Sequence, residues 1–341
     1  MKVSTISIDL AKNVFQVMGF TPTGKIVFNK RLNRAQLNHF MQIQTPCRVV
    51  MEACYSSHYW GRTFESMGHT VDLIPAQHVT PFVRGNKNDS NDTLAIFEAS
   101  SRPHIRFVPI KTQAQQETLI LHRLRERLLS ARTAASNQLR GLLADFGIIF
   151  PLGKVAFNEK MQELSIDESL SVTLSWLVKD VYTEYKTLSV RIKAIEKQLK
   201  TNIEANPLGQ ILLSIPGIGY LNASAFVASI GSGQAFASAK DFAVWLGITP
   251  KQFASGNKSV MGGISKRGDQ YLRKQLIHGA RAIISHAGKK QDALSLWITQ
   301  LRARKTFNCT AVATAHKLAR IMWTLLQKQC HYTPQVVRVV A

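Results

Sequence analysis

The first hundred residues alternate short apolar strands with amphipathic helices, and this order restricts the fold more than any other feature of the chain. Residues 3–8 form a strand of buried type, and residues 15–20 form a second. After the turn signal Thr21-Pro22-Thr23-Gly24, residues 25–32 complete a three-stranded antiparallel meander. Residues 34–43 have helical spacing, 48–51 form a short apolar strand, 57–67 a helix and 70–74 a further strand. After a loop through Pro81 and Gly85, residues 89–100 form a helix with Leu94, Ile96 and Phe97 on its apolar side.

The order βββαβαβα is that of an α/β ribonuclease H-like fold, a label reached by order of elements alone. It gives meaning to four carboxylates. Asp9 closes the first strand, Glu52 closes the fourth, and Asp89 and Asp92 open the helix after the fifth. In such a sheet the ends of the first and fourth strands are neighbours, and acids at i and i+3 share a helix face. Four carboxylates so close repel one another unless cations lie between them. Two Mg²⁺ (or Mn²⁺) ions roughly 3.5–4 Å apart would serve, and would clamp an in-line phosphoryl transfer. Each acid also has a plain structural role open to it: Asp89 as an N-cap, Asp92 as part of a capping arrangement, Asp9 as a turn residue and Glu52 as a surface acid. Lys12 and Lys87 flank the cluster as candidate phosphate contacts.

The acids stand in a chain of net charge +22. Residues 251–341 hold 16 Lys and Arg against only Asp269 and Asp292, so this quarter is the main surface for a polyanion. The four cysteines lack Cys-x-x-Cys spacing and read as reduced thiols. No apolar run approaches the roughly 18 residues of a membrane span, and the N-terminus opens directly into a strand pattern; a bacterial cytoplasmic, nucleoid-associated location is expected, without a membrane partner.

Residues 112–146 form a long helical pattern carrying Arg140 as a candidate nucleic-acid contact, and a break at Phe150-Pro151-Leu152-Gly153 ends it. A second long helix has the seam Leu174, Val178, Val181, Tyr185, Leu188, Ile192, Ile195 and Leu199 at heptad spacing. That seam suits an antiparallel hairpin within the chain or pairing with another subunit. The last part opens near Asn206-Pro207. There Pro216-Gly217-Ile218-Gly219 before an Ala-rich stretch reads as a helix-hairpin-helix element, with Gly217 and Gly219 presenting backbone to phosphate. Helices around 239–246, 270–285 and 311–328 complete an α-rich region, with a polar, Gly-rich loop at 251–268. The expected division is 1–110, 111–205 and 206–341.

Several segments carry a family likeness. They are Ile8-Asp9-Leu10-Ala11-Lys12, Met51-Glu52-Ala53-Cys54, Lys87-Asn88-Asp89-Ser90-Asn91-Asp92, Gln138-Leu139-Arg140-Gly141, Pro216-Gly217-Ile218-Gly219, and Trp245-Leu246-Gly247-Ile248-Thr249-Pro250-Lys251 running on to Gly262-Gly263-Ile264-Ser265-Lys266-Arg267-Gly268-Asp269. Together, and in this order, they resemble the DEDD transposases of the bacterial insertion-sequence 110/1111 family, the 1111 branch in particular, to which the Piv invertase is also similar. The resemblance implies a RuvC-like N-terminal domain with Asp9, Glu52, Asp89 and Asp92 as its metal-binding set. It implies a coiled-coil middle and a C-terminal transposase domain whose catalytic serine is, by motif position, Ser255. Double-stranded donor and target DNA, an element-encoded guide RNA and a dimer or tetramer are the partners it implies. Tyr55 stands where the family has a small residue, Thr93 where it has alanine, and Ala254 where relatives often carry a second serine.

Read from its residues alone, Ser255 is one loop serine among three, with Ser259 and Ser265 as rivals. The cations Lys251, Lys258, Lys266, Arg267, Arg273 and Lys274 would draw a phosphate to this segment. A serine hydroxyl needs a base or a metal to become a nucleophile, and the nearest histidine in sequence is His278. The rival readings are a metal-dependent nuclease of the Holliday-junction resolvase type and a non-catalytic nucleic-acid-binding scaffold.

Overall fold

The structure is a computed structural model of the chain that describes residues 2–85, 88–256 and 258–335. It divides into two compact units, Met1–Gln113 and Ala114–Ala341.

The first unit is a five-stranded mixed sheet. Its strands are β1 (Thr5–Asp9), β2 (Val14–Phe20), β3 (Ile26–Asn33), β4 (Arg48–Glu52) and β5 (Thr70–Ile74), in the order β3-β2-β1-β4-β5. The meander β1-β2-β3 is antiparallel, and β4 and β5 join β1 in parallel. Between them lie α1 (Arg34–Gln42), α2 (Ser57–Ser66), the single turn α3 (Ala76–Val79) and α4 (Asp89–Ser100). The period-two alternation of a strand sorts the side chains to two faces. Ile6, Ile8, Val49 and Met51 pack with Leu37, Trp60 and Phe64 of α1 and α2. Val50 and Ile74 pack on the opposite face with Ala95, Ile96 and Ala99 of α4. Ser7, Asp9 and Glu52 share the parity that faces α4.

In the second unit, α5 (Gln113–Ala144), α6 (Lys154–Ser165) and α7 (Val172–Glu204) pack on one another. The heptad seam of α7 is covered within the chain. Val178 and Tyr185 meet Leu139, Leu143, Phe157 and Met161, while Leu188, Ile192, Ile195 and Leu199 meet Leu128. The expected two-helix arrangement thus gains a third member, α6, in the segment that reads as a Pro/Gly break.

The rest of this unit is α8 (Pro207–Leu213), α9 (Tyr220–Ile230), α10 (Ala239–Trp245), β6 (Pro250–Ser255), β7 (Lys258–Ile264), α11 (Gln270–Ala287), α12 (Ala293–Arg304) and α13 (Phe307–Lys328) around one large core. The segment expected as a Gly-rich loop is an antiparallel hairpin, β6-β7. Its Gly256 has φ +53, the left-handed backbone that a two-residue hairpin turn requires. Among the described residues no helix is long and apolar enough to cross a membrane.

Candidate active site

The parallel pairing of Ile8 with Met51 makes Asp9 and Glu52 the next positions of adjacent strands. On that face a buried hydrogen bond fixes the height of α4: Ser7 Oγ donates to the Thr93 carbonyl at 2.8 Å. Thr93 is wholly buried, and its own hydroxyl donates to the Asp89 carbonyl at 2.6 Å. Asn88 caps α4, its side chain accepting from the Asn91 N–H at 2.7 Å. Asp89 and Asp92 therefore have no capping duty. Both sit in the first turn, where the helix dipole favours negative charge.

The electrostatics follow from this packing. Burial, and then the charge of Asp92, push the Glu52 carboxyl above the usual carboxylate range. The Cys54 thiol is pushed up to about 11 by burial, then by Glu52 and Asp9. It is protonated at neutral pH and no nucleophile. Asp9, Glu52 and Asp92 thus share one neighbourhood at the sheet end. Asp89 faces outward, 3.7 Å from Arg31, with both side chains largely exposed. Among the described residues no three Asp, Glu, His or Cys groups stand close enough to hold a metal ion as they are. The donor set nonetheless fits a hard divalent cation: oxygen ligands only, and a carboxyl destabilised by a like charge that a cation would offset. Lys12 is exposed in the β1–β2 turn, and Lys87 lies outside the described residues.

Ser255 ends β6 at the hairpin tip, paired with Lys258, and is exposed. Its two rivals are placed differently. Ser259 accepts a hydrogen bond from Gln252 at 3.1 Å, and Ser265 is half-buried at the hairpin base. Lys251, Lys258, Lys266 and Arg267 are exposed along the same segment.

The hairpin stands on a closed backbone crossing. A Cβ on Gly268 would lie 2.1 Å from the Trp245 carbonyl oxygen, and one on Gly247 would lie 2.7 Å from the Gly268 nitrogen. Both glycines are needed for that approach, and Gly247 also has φ +70. Arg273 locks the crossing: it is buried, and its Nη1 donates to the carbonyls of Leu246 and Gly268 at 3.1 and 3.0 Å. Arg273, expected as a phosphate contact, thus lies in the interior with its guanidinium engaged by backbone. Arg140 likewise donates to the Phe150, Pro151 and Gly153 carbonyls and lies over the Phe150 and Phe157 rings. Lys274 pairs with Glu126 and lies over Tyr271. Gly217 packs its α-carbon toward Gly279 and Ile283 of α11, whereas Gly219, the N-cap of α9, is open to solvent on that side.

Two residues of the site have no place in the sequence reading. Ser7 is the one polar side chain between the core residues Ile6 and Ile8, a signal the alternation does offer. Arg31 lies on β3 in an exposed strand that carries no signal of its partner.

Two family profiles match the chain. One, a DEDD transposase profile, covers residues 6–148, and the other, described as "Transposase IS116/IS110/IS902 family", covers residues 209–295. Curated relatives align along nearly the whole length. A probable family 20 transposase of Pseudomonas aeruginosa is 43% identical over 98% of this chain and 100% of the relative. The transposase for insertion sequence element IS1111A of Coxiella burnetii is 40% identical over 97% and 91%, and that for IS1328 of Yersinia enterocolitica is 38% identical over 95% and 96%.

Proposed function

The chain belongs to the IS116/IS110/IS902 transposase family, and from that premise we propose that it excises and inserts an insertion sequence by serine-linked DNA strand exchange. It is a DNA transposase. Membership implies dependence on a divalent metal in general, and we read that metal as Mg²⁺ or Mn²⁺ held by Asp9, Glu52, Asp92 and, after rotation away from Arg31, Asp89. A bound divalent cation supplies charge neutralisation and polarisation of the scissile phosphate. The observation that carries the reading is the gathering of Asp9, Glu52 and Asp92 at one sheet end, with Ser255 held out on a basic hairpin. The strand order β3-β2-β1-β4-β5 supports a ribonuclease H-like, RuvC-type first domain. The α8–Gly217–Gly219–α9 segment supports a helix-hairpin-helix element, and the division 1–110, 111–205 and 206–341 is retained as the functional one.

In the proposed reaction the Ser255 hydroxyl loses its proton and attacks a backbone phosphorus. A P–O bond to serine forms, the P–O bond to one strand end breaks, and that strand's oxygen leaves and takes up a proton. The hydroxyl of a partner strand then attacks the phosphoserine phosphorus and releases the serine. Each step exchanges one phosphodiester for another, so no nucleotide cofactor is needed. Lys12, Lys251, Lys258, Lys266 and Arg267 hold phosphates without reading sequence. Specificity is delegated to an element-encoded guide RNA, and exchange of several strands calls for a dimer or tetramer. RNA that copurifies with the protein tests the guide: element-end sequences support it, and bulk cellular RNA alone counts against it. A resolvase-like nuclease would use water instead, and recombination by a Ser255→Ala variant separates the two.

A further inference from the structure

Two cavities in the second unit meet along one face of α13. One, of about 540 Å³, is lined by Leu294, Ile321 and Tyr332, and the other, of about 750 Å³, by Ile248, Ile264, Trp297 and Val312. Lys317 and Arg320 line both. At i and i+3 they occupy the same helix face. No Asp or Glu lines either cavity, and neither cation makes an ion pair among the described residues. The Lys317 ammonium lies over the Trp297 ring, 4.1 Å from its centre. Burial, then the charge of Arg320, lower the Lys317 pKa, and the same two causes lower that of His316. A ridge of mutually repelling cations therefore separates two apolar hollows, with no carboxylate among the described lining residues to balance it.

We propose that the two hollows receive consecutive unpaired bases of a DNA strand, with the phosphate between them on Lys317 and Arg320. Bases present flat, apolar faces that suit apolar and aromatic walls, and the phosphate joining two of them needs a cation at the ridge. Asn308 in one hollow and Gln335 in the other supply amides that can hydrogen-bond base edges. The larger hollow is walled on one side by Pro250 and Gly262–Gly263, part of the hairpin that carries Ser255. A strand seated there leads to that hairpin, which favours DNA over RNA and rests on the transposase reading above.

The test is a fluorescence titration of the full chain with a single-stranded DNA pentamer carrying a central 2-aminopurine. Lys317→Gln and Arg320→Ala should each weaken binding by roughly tenfold. Val312→Trp, which fills the larger hollow without changing charge, should abolish the fluorescence change. Arg320 is exposed, so its variant keeps the fold, and melting curves check the other two. Unchanged binding by the folded variants, or tighter binding of the same sequence as RNA, overturns the proposal. Ser255→Ala should bind like the wild type, so failure of the serine chemistry and failure of this site are read separately.

Discussion

Ser7 on β1 and Thr93 on α4 are joined by a buried hydrogen bond of 2.8 Å, two residues from Asp9 on one side and one residue from Asp92 on the other. This bond sets how the helix-borne acid stands over the strand-borne ones. Thr93 is also the position where the family resemblance leads one to expect alanine. The bond needs only the Thr93 carbonyl, so the substitution leaves it intact, and the added hydroxyl finds the Asp89 carbonyl.

Ser7→Ala removes the donor and leaves the Thr93 carbonyl buried with one fewer partner. A loss of about 1–2 kcal/mol in unfolding free energy is expected from denaturant titration. Recombination should fall further than folding does, because Asp92 is no longer held in place. Thr93→Ala should leave recombination near the wild-type level.

Glu52 carries a second expectation. Its raised pKa means that the folded state holds a proton the unfolded state releases, so metal-free stability should decline as pH rises from the ordinary carboxylate range through the raised folded value. Glu52→Gln should flatten that decline. It should also shrink the rise in melting temperature that Mg²⁺ or Mn²⁺ gives the wild type, a readout independent of activity. An equal metal-induced shift in both proteins would remove Glu52 from the ligand set.

The N-terminal third of the fold is legible in the sequence because its strands are short, β-branched and cleanly bounded. The five strands of the sheet and helix α4 stand within a few residues of where periodicity puts them. The hairpin β6-β7 is not legible. Phe253, Val260 and Met261 are all exposed, two glycines interrupt β7, and no buried face imposes an alternation. Helix α6 hides behind the break signal of Pro151 and Gly153, yet Phe157, Met161 and Leu164 bury it on α7. The partners that Arg140, Arg273 and Lys274 have within the fold were also out of reach, since a cation in a basic stretch reads the same whether it meets phosphate, a carbonyl or a carboxylate. Of the four acids, the strand ends fixed Asp9 and Glu52. The turn of α4 that separates Asp92 from the outward Asp89 is a matter of tertiary packing.

Arg273 and Arg267 should therefore respond in opposite ways. Arg273→Ala strips one buried and one half-buried carbonyl of their donor and should lower stability by about 2–3 kcal/mol. Arg267→Ala, on an exposed residue, should leave the melting temperature unchanged and weaken DNA binding with a shallower salt dependence.

His122 gives an acid-side test. It is buried between the Tyr271 hydroxyl at 2.7 Å and the Ser224 hydroxyl at 2.9 Å, and burial, then Arg125, lower its pKa to about 4. The unfolded state takes up a proton near pH 6.5 that the folded state refuses until about pH 4, so stability should fall as pH drops through that window. The loss is at most about 3 kcal/mol. His122→Gln should remove that part of the slope in melting temperature against pH.

The serine chemistry is tested most directly by mass spectrometry of protein denatured during reaction with donor and target DNA. A DNA-linked phosphoserine is expected on the peptide that carries Ser255, lost in Ser255→Ala and in Asp9→Asn. Strand exchange that proceeds in Ser255→Ala, or an adduct on any other residue, would contradict it.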